Sequence, residues 1–104
     1  MADKKRDDLL VETLNPDMGY FFRTSKKLYE TRTKFQDLEI HELPRHGRML
    51  RLDGVFQTSD RDEFLYHEPL AHVGGMTIDG PKTALVIGGG DGGAAEEFLK
   101  YKTI

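Results

Sequence analysis

Gly88-Gly89-Gly90-Asp91-Gly92-Gly93 is the segment of this sequence best equipped for chemistry. Gly88, Gly90 and Gly93 satisfy the spacing G-x-G-x-x-G, which lets a backbone turn approach a nucleoside ligand where a strand gives way to a helix. The same glycines also suit plain packing of a helix on a strand, so the spacing leaves binding and packing both open. Asp91 narrows the ligand class. A bare helix N-terminus attracts phosphate, whereas a carboxylate in the loop repels it by about 1 kcal/mol at ~4 Å in water, and by several times more in a partly dry cleft. A cationic or hydroxyl-bearing ligand is therefore favoured over a pyrophosphate. S-adenosylmethionine and its decarboxylated form, with a sulfonium, an amine and no phosphate, meet that requirement. Asp91 as a cap of the following helix is compatible with this role.

Other candidate chemistries fall away. His67-Glu68-Pro69-Leu70-Ala71-His72 imitates a zinc motif, but its histidines are five apart with a proline between them, whereas H-E-x-x-H needs i and i+4. No metal site is expected. A chain without cysteine has no disulfide, thiolate metal site or cysteine nucleophile, and fits a reducing, cytoplasmic location. Fifteen Lys and Arg against eighteen Asp and Glu give a net charge of −3 without a concentrated basic face, so nucleic acid is not an expected partner. Lys4-Lys5-Arg6 and Lys26-Lys27 read as solvated surface. The longest apolar run, Ala84 to Ile87, has four residues against the roughly 20 of a membrane-spanning helix. Met1 to Asp8 lacks the apolar core of a signal peptide, and no membrane partner is expected. His41 and His46 read as surface residues of a strand and a turn, Met49 and Met76 as packing.

The elements that position the glycine loop change character along the chain. From Gly19 to Thr58 short runs rich in Tyr, Phe, Thr, Leu and Ile alternate with turn residues, as in four or five strands. Leu38 to Leu43 alternates and stops at Pro44-Arg45-His46-Gly47. Asp53-Gly54 between Arg48 to Leu52 and Val55 to Thr58 is a hairpin signal, because a type I′ turn needs positive φ at both central residues. Ser59 with Asp62 resembles a capping box for a helix starting near Asp60, complemented by Asp60, Asp62 and Glu63. Pro69 is expected to kink or end that helix. Thr83 to Ile87 reads as a strand buried on both faces of a parallel sheet, and Ala94 to Tyr101 as a helix. Strand, loop and helix open a βαβ unit of about 30 or more residues, of which 22 are present from Thr83.

Four linked segments closely resemble spermidine synthases, in order and at that family's spacing: Phe35-Gln36-Asp37; Leu52 to Thr58; Arg61-Asp62-Glu63-Phe64-Leu65-Tyr66-His67-Glu68; and Leu85 to Gly93. The resemblance implies a fold passing from α+β to α/β, a small N-terminal antiparallel β domain followed by a Rossmann-like, methyltransferase-like domain. The implied division is a segment 1–18, a β domain 19–58, a helical connection 59–82, and the incomplete start of the nucleoside-binding domain at 83–104. It implies aminopropyl transfer from decarboxylated S-adenosylmethionine, a co-substrate, to putrescine, giving spermidine and methylthioadenosine with no cofactor. A homo-oligomer, dimer or tetramer, is expected. Gln36, Gly88 and Gly90 are implied to hold the donor nucleoside. His67 and Asp91 are implied to contact the polyamine and aminopropyl group, with Tyr66 and Gln57 lining the same cleft. The family's general base is an aspartate of a later Asp-rich loop, expected downstream of Ile104, so no catalytic residue is assigned here and the chain alone is expected to be inactive. Two other readings stay open. One is a non-catalytic truncated or assembly-only module; the other is a nicotinamide dehydrogenase fragment, which the Asp91 carboxylate disfavours.

Overall fold

A computed structural model describes residues 8–104; Lys4-Lys5-Arg6 and the rest of the opening segment lie outside the described residues. The chain divides into two compact units, Met1–Arg61 and Asp62–Ile104.

The first unit holds six strands: β1 (Leu9–Asn15), β2 (Met18–Arg23), β3 (Lys26–Arg32), β4 (Asp37–Leu43), β5 (Gly47–Leu52) and β6 (Val55–Ser59). β1 and β2 pair as one antiparallel sheet, and β3-β4-β5-β6 form an antiparallel meander. The sheet region thus begins at Leu9, ahead of the expected Gly19. Leu9-Leu10-Val11-Glu12-Thr13 pairs with Gly19 to Arg23, and only that pairing turns an otherwise unremarkable run into a strand. The Asp53-Gly54 turn is as expected: Leu52 faces Val55 across it, with φ of 49° and 80° at the two central residues.

The two sheets are joined by apolar and polar ties. Leu10, Leu43 and Met49 are buried together against Phe22 and Phe56, whose rings meet edge to face at 4.9 Å. Arg51 donates from Nη2 to the Val11 carbonyl (2.7 Å), from Nη1 to Glu39 (3.1 Å) and from Nε to the Gly54 carbonyl (3.0 Å). Glu12 returns the tie by accepting the Phe56 N–H at 2.7 Å. The bonds to Glu39, Gly54 and Phe56 lie partly out of water, where an unmatched partner would cost about 1–3 kcal/mol, while the bond to Val11 is exposed.

His41 corrects the surface expectation. It is 1% exposed, and neither ring nitrogen makes a hydrogen bond among the described residues. Alternation put it on the inner face of β4, opposite Met49, one residue out of step with the polar face its type suggested. Burial pushes its imidazole below the usual value, against the pull of Glu39 at 3.5 Å from Nε2; Lys27 and Arg51 add to the depression.

In the second unit α1 (Phe64–Gly75) starts four residues later than the expected Asp60, with Glu63 at its N-cap and no side-chain capping bond. Asp60 is instead held by Arg48, through its backbone N–H (2.8 Å) and its guanidinium. α1 runs through Pro69 without ending there. An interior proline costs roughly 3 kcal/mol, which the packing of α1 on α2 (Gly93–Phe98) offsets. Thr83–Ile87, expected as a strand, has no strand partner among the described residues, and Leu85 and Ile87 are 84% and 91% exposed. A strand is defined by its neighbours, and a run suited to a parallel sheet stays irregular without them. No helix among the described residues is long and apolar enough to cross a membrane.

Because His41 is buried uncharged and the unfolded chain protonates it freely, stability of the β unit is full above the unfolded value near 6.5 and falls as pH drops below it. Opening free energies from amide exchange at Met49 and Leu50 should decline between about pH 7 and 5. Glu39 and Asp60, with ordinary values of 4.5 and 3.8, contribute only lower down. His41→Leu should flatten the decline; an unchanged slope would remove His41 as its source.

Candidate functional site

The second unit builds its site from small residues. His67, Ala71 and Gly75 are the buried residues of α1, spaced four apart on one face, and Ala94 and Glu97 are those of α2. Small side chains let the two helices approach closely. A Cβ on Gly75 would come within 2.6 Å of the Tyr101 hydroxyl, and a Cβ on Gly93 would overlap the His67 ring itself. The last glycine of the loop is thus a seat for an imidazole.

His67 is 3% exposed and lies between two carboxylates. Its Nδ1 is bonded to Glu63, one helical turn earlier, and its Nε2 lies 3.2 Å from Asp91 Oδ2. Burial alone would lower its pKa, but the hydrogen bond to Glu63 and the charges of Asp91 and Glu63 outweigh burial and hold it above the usual value. Asp91 Oδ1 accepts the Gly93 N–H at 3.2 Å. Asp91 therefore both ties down the start of α2 and faces His67, while its side chain stays 25% exposed. Gly88 and Gly90 have open space where a side chain would stand, and Gly88 (φ 84°) and Gly92 (φ 82°) sit in the left-handed region that favours glycine. Tyr66 is 60% exposed, its ring set edge-on to His67 at 5.2 Å.

A second polar tie fastens the helices further along. His72 bonds Glu97 through Nε2 (2.7 Å) and the Tyr101 hydroxyl through Nδ1 (2.9 Å), and Glu97 also accepts from Lys100 Nζ at 2.5 Å. The Lys100 bond and then the His72 bond hold the Glu97 carboxyl below its ordinary range. His67 and His72 thus serve separate networks.

Gln36 and Gln57 belong to the first unit. Thr33 grips the Gln36 backbone, its Oγ1 accepting the Gln36 N–H at 2.9 Å and its own N–H donating to the Gln36 carbonyl at 2.9 Å. Asp53 of the hairpin turn accepts the next N–H, that of Asp37, at 2.8 Å. Gln57 is the unpaired residue of a bulge, since Leu50 faces Thr58 while Arg51 faces Phe56. The structure brings together His67, Asp91 and Tyr66 beside Gly88 and Gly90. Sequence reasoning passed over Glu63 as a partner of His67, although their i, i+4 spacing carried the signal. Nothing in the sequence pointed to His72 with Glu97 and Tyr101, which meet only through the packing of two helices.

Residues 10–60 match the spermidine synthase tetramerisation domain, and residues 63–104 match the spermine/spermidine synthase domain. A polyamine aminopropyltransferase of Nitrosomonas europaea is 47% identical over 91% of this chain and 29% of its own length. One of Pseudomonas syringae pv. tomato is 48% identical over 89% of this chain and 32% of its own length. A crystal structure of spermidine synthase in complex with the transition-state analogue AdoDATO superposes with a TM-score of 0.89 at 37% identity, over 92% of this chain and 33% of that one. The Thermotoga maritima spermidine synthase gives 0.88 at 38% identity, over 91% of this chain and 33% of that one. The chain thus spans about a third of the length of these relatives.

The glycines separate under substitution. Gly93→Ala, which forces a methyl onto the His67 ring, should destabilise the second unit by about 1–3 kcal/mol in denaturant unfolding. Gly90→Ala, into open space, should stay within about 0.5 kcal/mol of the parent. Equal effects at both positions would contradict the seating of His67 on Gly93.

Proposed function

The chain belongs to the spermidine synthase family over residues 10–60 and 63–104, and from that footing we propose that it is part of an aminopropyltransferase. The reaction moves the aminopropyl group of decarboxylated S-adenosylmethionine to putrescine, giving spermidine and methylthioadenosine. The observation that carries the proposal is the carboxylate of Asp91, part-exposed beside the open backbone of Gly88 and Gly90 and backed by His67. A phosphate ligand would meet that negative charge, whereas a sulfonium and an ammonium are drawn to it.

Each residue has a distinct task in this reading. Gly88 and Gly90 give the donor nucleoside access to the backbone, and the Gln36 amide, which both donates and accepts, contacts the nucleoside of donor and product. Asp91 receives the ammonium of the aminopropyl group or the polyamine. His67 backs that carboxylate, Tyr66 flanks His67, and Gln57 of the β unit is assigned to the polyamine. The amine nitrogen of putrescine then attacks the carbon next to the sulfonium; the new C–N bond forms as the C–S bond breaks, and the bonding pair leaves on a neutral thioether. The lever the present residues supply is alignment of two cations that would otherwise repel. Asp91, occupied by His67 and the Gly93 N–H, is assigned to binding rather than to proton removal. The β unit, which matches a tetramerisation domain, is assigned the contacts of a homo-oligomer.

Asp91→Asn, in the full-length enzyme, keeps the size and the bond to Gly93 but removes the charge. Loss of a charge-assisted bond costs about 1.5–3 kcal/mol, so kcat/KM for donor or diamine should fall roughly ten- to over a hundredfold. Binding of methylthioadenosine, which lacks the amine, should change little. Unchanged kinetics would remove the amine-binding role, and an equal loss of methylthioadenosine affinity would point to a collapsed loop. The 104-residue chain by itself should give no turnover of decarboxylated S-adenosylmethionine with putrescine; measurable transfer would overturn that expectation.

A further inference from the structure

Glu63 is the one carboxylate of this cluster without a task of its own, and its geometry supplies one. It stands at the N-cap of α1 and bonds Nδ1 of His67, while Asp91 faces Nε2 of the same ring. The His67 side chain is 3% exposed and is pinned from below by Gly93, so the ring has little room to turn away. The charges bearing on it are Glu63 at the N-cap of α1 and Asp91 from the glycine loop; Tyr66 adds an aromatic edge, and α2 presents the Gly93 backbone.

With both ring nitrogens protonated, His67 is a resident cation on the carboxylate that an incoming ammonium needs. The other oxygen of Asp91 is already engaged by the Gly93 N–H. Two cations then compete for one anion, and the buried ring cannot retreat. The conflict is relieved when the Nε2 proton leaves to bulk water. The proton on Nδ1 stays, because Glu63 accepts its hydrogen bond. The freed Nε2 lone pair points toward Asp91 and accepts an N–H from the ammonium, so lone pair and carboxylate together receive the ligand.

We propose that Glu63 is a positioning residue for amine binding: it fixes the Nδ1 proton of His67, so that an ammonium arriving at Asp91 displaces the Nε2 proton and nothing else. Amine binding and loss of one proton from His67 thereby become a single linked event. The inference rests on the amine-binding reading of Asp91 given above. Glu63 also helps hold His67 above its usual value, so the ring keeps a protonated fraction to give up near neutral pH.

The test uses full-length enzyme saturated with methylthioadenosine, with putrescine as the probe. The His67 imidazole is followed by NMR, assigned through His67→Gln, and proton release is counted by calorimetry in buffers of different ionisation enthalpy. The free enzyme should titrate His67 above 6.5, and saturating putrescine should lower the midpoint by about one pH unit or more. At the free-enzyme midpoint, putrescine binding should release about half a proton. Glu63→Gln keeps an acceptor for Nδ1–H but removes the charge; its His67 midpoint should drop by about one unit or more, and proton release at the same pH should fall toward zero. His67→Gln should release none. Release undiminished in Glu63→Gln, or a His67 midpoint that putrescine leaves in place, overturns the linkage while amine binding itself stands. Absence of putrescine binding alongside a raised, Glu63-dependent His67 titration would instead overturn the amine-binding reading on which the linkage rests. A merely structural Glu63 would change stability without changing the proton count.

Discussion

The second unit depends on one contact, the imidazole of His67 laid directly on the backbone of Gly93. Only glycine leaves room for a ring there, and only a ring held on both sides keeps its place. Glu63 holds it from within the same helix and Asp91 from the loop, so α1, the glycine loop and the start of α2 are fixed through a single side chain. Further along, His72 with Glu97 and Tyr101 fastens the same two helices again. Two polar ties of this kind position a loop more closely than apolar contact can, because hydrogen bonds fix direction as well as distance.

That arrangement sets what the glycine loop presents. The open backbone at Gly88 and Gly90 and the left-handed turns at Gly88 and Gly92 are what any loop of this type offers a nucleoside. The carboxylate of Asp91 stands between those turns, bonded to the Gly93 N–H and facing His67. Although burial lowers the His67 pKa, the bond to Glu63 and the charges of Asp91 and Glu63 hold it above its usual value, so the loop carboxylate comes with an imidazole seated 3.2 Å away.

The β unit uses its charges differently. Arg51 reaches a carboxylate and two backbone carbonyls, one of them on the facing sheet, and its guanidinium also lies over the Phe56 ring at 5.3 Å. Such a hub joins two small sheets that share only a modest apolar core. The Gln36 backbone is fixed by the same economy, held by Thr33 on one side and, through Asp37, by the Asp53 turn on the other. A neighbouring turn and a distant hairpin thus fix one stretch of backbone.

Local rules were enough for much of this protein. The Asp53-Gly54 hairpin, the extended run of Leu38 to Leu43, the glycine loop with its carboxylate and the four linked segments that mark the family are all patterns over a few residues, and each is fixed by backbone conformation or spacing. What failed were features set by a neighbour. β1 exists because Gly19 to Arg23 lies alongside it, Thr83 to Ile87 is no strand where it has no partner, and His41 is inside because register turned it inward. The start of α1 moved to Phe64 because Asp60 was claimed by Arg48. His67 could be singled out from sequence, but its clamp between Glu63 and Asp91 could not, since Asp91 comes from a different element. Spacing determines what a residue can do along its own helix or turn; only packing decides which distant charge it meets, and that charge sets its proton.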